Sequence, residues 1–222
     1  CGAVTYPGGN TLVQEGGIWY HVINREKVTD TALVKYNNEW FYVRDGVLNR
    51  SNTLHKHTDG KWYHVNNGKW VKDTTLVQYN GTWYYVNAGR VDFNSNTLVK
   101  YNNQWYHVKG GKWVKDTTLV KYNGTWYYVK DGRVSFSSTT LTQYNGTWYY
   151  VNAGKVDFKS NTLVKYNNQW YHVNGGKWVK DTTLVKYNGT WYYVSGGRVN
   201  FNYTGNVLYN GKTYKVVKGK LA

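Results

Sequence analysis

The sequence predicts an all-β protein, an elongated β-hairpin solenoid of about ten 21–22-residue repeats. Three observations predict it. First, Trp recurs at 19, 40, 62, 83, 105, 126, 148, 170 and 191, in steps of 21 or 22, and a Leu stands seven or eight residues before each, from Leu12 to Leu184. Second, an Asn-Gly or an equivalent pair splits each unit into two runs rich in Val, Tyr and Trp, the signal of a two-residue hairpin. Third, no segment carries helical periodicity. One short hairpin cannot bury two faces by itself, so neighbouring copies must stack on one another.

In chain order, residues 1–9 form an N-terminal leader segment, residues 10–203 hold nine tandem hairpins, and residues 204–222 are a degenerate copy without its Trp, as capping repeats tend to be. Residues 74–138 and 139–203 differ at only nine of 65 positions, which points to recent duplication and a repeat number free to drift. A catalytic site needs one arrangement of unlike groups and does not survive such drift. A binding ladder or a spacer does.

The representative unit, residues 118–138, reads TLVKYNGTWYYVKDGRVSFSS. Asn123-Gly124 predicts a type I′ turn, because both central positions need positive φ. Asn-Gly recurs at 80–81, 145–146 and 188–189, Asn-Asn replaces it at 37–38, 102–103 and 167–168, and Gly16-Gly17 opens the series. The third copy differs: Thr58-Asp59-Gly60 predicts a three-residue loop with a glycine bulge. The Asn-Gly-Thr triplets also spell N-glycosylation acceptors, but turn chemistry explains them fully.

This turn sets Tyr122 opposite Thr125, Lys121 opposite Trp126, Val120 opposite Tyr127 and Leu119 opposite Tyr128. Alternation then places Leu119, Lys121, Trp126 and Tyr128 on one face and Val120, Tyr122, Tyr127 and Val129 on the other. The second face is uncharged in nearly every copy and is expected to be the main core. The first is expected to be half buried, with Lys laid across the indole and with its base, where the unvaried Leu stands, buried as well. A Gly-Arg/Lys turn then leads to a short third segment, Val134-Ser135-Phe136 in this copy.

Composition narrows the function. Aromatic residues make up 18% of the 222, too many for disorder, and the single Cys excludes an intrachain disulfide. No apolar run is long enough for a membrane helix. The net charge of +16 favours acidic partners, although lysines on strands also block edge-to-edge aggregation. With no signal peptide and no initiator Met, the chain reads as a processed piece of something longer. Cys1 reads either as the lipidated first residue of a lipoprotein or as an excision point or tagging thiol. No Ser-His-Asp order, paired carboxylates, P-loop or dinucleotide fingerprint is present, so the segment is read as non-catalytic and without a cofactor. His55 and His57, two apart on one strand face, are a weak metal-site signal, and no metal site is expected.

Two sub-types interleave. The commoner has Trp-Tyr-Tyr-Val, as at 126–129. The other has Trp-Tyr-His-Val and an extra downstream Trp: Trp62 with His64 and Trp70, Trp105 with His107 and Trp113, Trp170 with His172 and Trp178. His21 lacks the extra Trp. Such pairs are either pockets that stack on a sugar or enclose a cation, or compensatory packing in which a smaller His admits a larger Trp. The candidate ligand-binding residues are these nine together with Trp83, Trp126, Trp148 and Trp191 of the ladder and the strand lysines Lys121 and Lys186.

Units of the form T-L-V-K-Y-N-G-x-W-Y-Y-V-x-x-G-x-V over residues 10–221 resemble the tandem cell-wall-binding repeats of surface and secreted proteins of Gram-positive gut Firmicutes. These are related to choline-binding and glucan-binding repeats and to the repeats of clostridial toxins. The resemblance implies a hairpin solenoid, a non-catalytic role and an extracellular or cell-surface setting. In choline-binding repeats, aromatic residues of successive hairpins cage a quaternary ammonium, and the matching element here is Trp126-Tyr127-Tyr128 with its copies. The Gly-Trp that opens the choline motif is absent; Thr-Leu-Val stands there, and a basic module suits an anionic wall polymer better. The expected partner is therefore a cell-wall polymer or other glycan bound by a monomer. A multivalent host-protein binder (an adhesin or immunoglobulin-binding protein) and a passive stalk stay open, and nucleic acid is a remoter reading.

Overall fold

A computed structural model describes residues 5–222; Cys1, and with it the question of a lipid anchor, lies outside the described residues. The chain forms two compact units that divide between Val114 and Lys115. Each is a stack of β-hairpins, and all secondary structure among the described residues is antiparallel strand.

In the sixth repeat, strands Thr118–Tyr122 and Thr125–Lys130 pair in the register the turn dictates, with Lys121 opposite Trp126 and Leu119 opposite Tyr128. Asn123 and Gly124 have φ of 45° and 80°, as a type I′ turn requires. The Asn-Asn turns do the same, with φ of 45° at Asn102 and 62° at Asn103. In the third repeat the Gly60 N–H donates to the His57 carbonyl and Gly60 itself sits at φ 79°, the expected three-residue loop with its bulge.

The second turn falls one residue earlier than expected. Asp131 and Gly132, at φ 50° and 76°, form another two-residue turn, and Arg133–Val134 adds a third strand with Arg133 opposite Lys130. Glycine is therefore the second turn residue, and the basic residue after it stands in the ladder. The segment's end leaves the sheet, and Phe136 is about half exposed.

Successive hairpins stack face to face. Leu54 of the third repeat packs on Val77 and Val86 of the fourth, and Leu76 and Tyr85 of the fourth pack on Val99 and Val108 of the fifth. In the other unit, Leu141 and Tyr150 meet Val164 and Val173, and Leu163 meets Val185 and Val194. Each Leu buried this way stabilises the stack by roughly 1.5–3 kcal/mol. The burial expected at the Leu base of the first face is present, but the second face is no drier than the first and is not the main core. The Leu/Tyr face of each hairpin is covered by the Val/Val face of the next, so both are dry at the base of the strands. Both become partly exposed toward the turn, where Lys121 is solvent-exposed and Trp126, Tyr122 and Tyr127 are half buried. Burial follows distance from the turn, not the side of the hairpin.

Backbone bonds tie neighbours together. The Tyr85 N–H donates to the Gly111 carbonyl at 2.7 Å, and Tyr150 to Gly176 at 2.8 Å. Tyr84 pairs with Lys112 and Tyr149 with Lys177, so the third strand of each repeat joins the second strand of the one before. Gly111 permits this approach: at φ 70°, a Cβ there would lie 2.5 Å from the Asp92 carbonyl oxygen.

Candidate functional site

Stacking brings the half-buried rings near the turns into cages. One, of about 240 Å³, is floored by Leu54 and walled by Trp62, Tyr79, Tyr84, Val91 and Phe93. Trp62 meets Tyr79 edge-on at 5.1 Å, and Tyr84 meets Phe93 at 6.2 Å. A third repeat reaches its wall: Lys112 Nζ lies 5.6 Å from the Tyr84 ring centre. The same assembly recurs at Trp170, Tyr187, Tyr192 and Phe201, where Lys220 lines a cavity of about 120 Å³. Each cage therefore takes its Trp, its other rings and its cation from three consecutive copies. The cation stands over the tyrosine because the strand pairing sets it opposite that residue, as Tyr192 opposite Lys220.

Where the second contributor is of the histidine sub-type, the extra Trp replaces the Val-x-Phe wall. Trp178 stands perpendicular to Tyr171 at 5.6 Å, and Arg198 lies 5.4 Å from Tyr171 and 6.0 Å from Trp178. The indole N–H of Trp178 donates to the Gly197 carbonyl at 3.1 Å, and that of Trp70 to Gly89 at 3.0 Å, which fixes both rings. The Trp40 cavity, about 220 Å³, is of this kind but carries unlike polar groups, His57, Asp59 and Arg90. Asp59 accepts from the Tyr63 hydroxyl at 2.6 Å, which holds its carboxyl below the ordinary range, and His57 Nδ1 is buried with no hydrogen-bond partner.

The cations differ in their company. Lys27, over Tyr20 at 3.8 Å, is ion-paired with Glu15, and Lys69, over Phe41 at 5.2 Å, with Glu39 at 2.8 Å. The hydrogen bonds from Lys27 and then Tyr6 hold the Glu15 carboxyl below its ordinary 4.5, and the bond to Glu15 raises Lys27. Lys112, Lys177, Arg198 and Lys220 make no ion pair among the described residues, nor does Lys155 over Tyr127 at 5.8 Å.

The sequence profile of choline-binding repeats matches eight tandem segments covering most of the chain, residues 29–49, 51–69, 72–92, 94–112, 115–135, 137–157, 159–177 and 180–200. The chain belongs to the choline-binding repeat family. A search of curated proteins returns no match. Among solved structures, the chain is similar to CbpJ from Streptococcus pneumoniae TIGR4 at 18% identity and TM-score 0.36, over 96% of this chain and 94% of that one. It is similar to choline binding protein F from Streptococcus pneumoniae, solved with a peptidoglycan analogue, at 20% identity and TM-score 0.36, over 96% and 93%. Alternansucrase in complex with isomaltononaose gives 19% identity and TM-score 0.39 over 96% of this chain and 16% of that one.

Within these choline-binding repeats the sequence-predicted site residues separate into groups. Trp62, Trp83, Trp126, Trp148, Trp170 and Trp191 are half buried, each within 5.0–5.5 Å of a tyrosine from the next repeat. Trp105 is also half buried, and Trp70, Trp113 and Trp178 stand against Tyr63, Tyr106 and Tyr171.

The histidines are placed elsewhere. His64 is 3% exposed, its Nδ1–H donating to Asp73 at 2.7 Å and its Nε2 3.0 Å from the Asn52 amide. His172 does the same with Asp181 and Asn161, and His21 with Asp30 and Asn10; His107 is buried against Asn96. These rings are buried between strand and link, hydrogen-bonded to both, and present no face to a ligand. The spacing could have been read: an Asn 11 or 12 residues before each of these four histidines and an Asp nine after. It also explains His21, whose partners are Asn and Asp and not the missing Trp.

Lys121 and Lys186 are exposed on the strand and not over an indole. In the ring contacts within either unit, the cation comes from the third segment or the link just after it, as with Lys72 over Trp70 at 5.2 Å. The missed cage residues are Tyr79, Tyr84, Phe93, Lys112 and their copies. His55 takes a core Val position, where burial and then His57 lower its pKa, and His57 takes the place of a cage tyrosine. Among the described residues no group of three or more His, Cys, Asp or Glu could hold a metal ion. No helix among them is long and apolar enough to cross a membrane.

Proposed function

We propose that this chain is a non-catalytic module of a Gram-positive surface or secreted protein that holds cell-wall polymers or related glycans in the cages between its repeats. The observation that carries the reading is the recurrence of one cage of Trp, two Tyr and Phe, floored by Leu, at successive repeat interfaces. Aromatic faces cover the apolar faces of a sugar ring or surround a cationic group, and weak sites in series multiply through avidity. Membership of the choline-binding repeat family supports a wall target and a surface setting. The near-identity of residues 74–138 and 139–203 supports a role in which identical sites add up.

The test is retention of the purified chain on Gram-positive cell walls. Trp62→Ala and Trp170→Ala together are expected to lower retention about tenfold, as loss of stacking platforms does. Circular dichroism confirms that the hairpins remain. A chain that binds neither walls nor any member of a glycan panel would end the proposal.

A further inference from the structure

Among the described residues, the Trp19, Trp62, Trp126, Trp148 and Trp170 cages each carry a side-chain cation on a tyrosine or phenylalanine wall, and all of these but Lys69 lack an acid. In the Trp62 cage, Lys112 lies over Tyr84, and in the Trp170 cage, Lys220 over Tyr192 lines the cavity itself. Lys177 over Tyr149 and Arg198 over Tyr171 repeat the arrangement at 5.9 and 5.4 Å. Where Lys69 has Glu39 beside it, these have Thr82, Thr147, Gln169 and Thr190 at the position before the Trp. One wall ring of each of these cages thus already has a cation of the chain within 6 Å of its centre. A second positive charge entering the cage meets repulsion in a partly desolvated space. An anion meets an unpaired Lys or Arg, and a sugar ring attached to it meets the aromatic walls.

We propose that these unpaired cages select a sugar unit bearing a negative charge, as carboxylate or phosphodiester, and reject quaternary ammonium groups. This rests on the glycan-binding reading above and names the chemistry of its ligand. The Trp19 cage, whose Lys69 is neutralised by Glu39, does not take such a unit, and the Trp40 cavity, with Asp59 on its wall, is not counted among the acceptors.

The experiment compares the full chain with two triple variants of equal charge. Thr82→Glu, Thr147→Glu and Thr190→Glu together place a carboxylate beside Lys112, Lys177 and Lys220, as Glu39 stands beside Lys69. Lys109→Gln, Lys130→Gln and Lys159→Gln remove exposed charge elsewhere, so both sets lower the net charge from +16 to +13. Each protein is passed over immobilised polygalacturonate, poly(glycerol phosphate) and neutral dextran, with free choline as a competitor. The expected result is retention on one or both acidic polymers, undisturbed by choline and weakened about tenfold by the Thr→Glu set but little by the Lys→Gln set. The two acidic arms separate the carboxylate from the phosphate source.

Equal loss in both sets would mean that bulk charge does the binding and would overturn the inference. So would retention on dextran equal to that on the acids, or elution by choline, and both leave the glycan-binding reading standing. Retention on none of the polymers or on cell walls would remove both.

Discussion

The cage walled by Trp19, Tyr36 and Phe41 and the cage walled by Trp62, Tyr79 and Tyr84 are built on the same plan. Each has a Leu floor, Leu12 in one and Leu54 in the other, and a Trp edge-on to a tyrosine at 5.1 Å. Each has a lysine of the following repeat over its ring, Lys69 at 5.2 Å and Lys112 at 5.6 Å. Phe41 and Arg50 stand where the other cage has Tyr84 and Phe93, and the residue before the Trp decides the cation's company: Glu39 holds Lys69, whereas Thr82 leaves Lys112 unpaired. The comparison teaches that the Leu floor and the Trp–Tyr pair are common to the two cages, while the pairing of the cation is decided at the variable position before the Trp.

The largest expected effect tests the shared part. Leu12→Ala and Leu54→Ala each remove a side chain 3% exposed and leave a cavity beneath three rings, so each is expected to cost about 3 kcal/mol. Urea denaturation should give similar losses for the two. A cost for Leu12→Ala below half that of Leu54→Ala would mean that the two floors are not equivalent.

A smaller effect tests the variable part. Glu39→Gln frees Lys69, and because both side chains of the pair are about half exposed, stability should fall by less than about 1 kcal/mol. Retention on polygalacturonate should rise, since one more cage then offers an unpaired cation. Unchanged retention would show that something other than the ion pair separates the two cages.

The smallest effect is a pH dependence at the first repeat. Glu15, held below its ordinary 4.5 by Lys27 and Tyr6, is a carboxyl with a depressed folded-state pKa. Its contribution is present above the unfolded value and is lost as pH falls through the lowered folded value. In a titration from pH 6 to pH 2, Glu15→Gln should flatten the acid limb of the stability curve slightly. A Gln variant with an identical acid limb would show that the pair with Lys27 adds nothing in solution.

Much of the fold was legible because its determinants are local. Asn123-Gly124 and its copies dictate the turn, the turn dictates the register, and the Lys121–Trp126 and Leu119–Tyr128 pairs follow. The second turn was misplaced by one residue, because Gly132 was taken as the first turn position when Asp131 occupies it at positive φ. The site was only partly legible. The tryptophans could be named from their period, but the histidines drew attention as chemistry when they are buried and hydrogen-bonded to Asn and Asp. Lys112 carried no signal, since nothing near it in sequence ties it to Tyr84, 28 residues earlier.

The sequence by itself determined the hairpin, its register, the repeat length and the rings each copy contributes, because these depend on φ preferences and side-chain alternation within about 20 residues. The unvaried Leu and Val already marked the dry ends of the strands, but the tertiary structure alone decided that stacking leaves the turn ends of both faces partly exposed. It alone decided which cation lies over which ring, and whether that cation is free. Those are contacts among three successive copies, and the pattern of one copy holds no information about its neighbours until they stack.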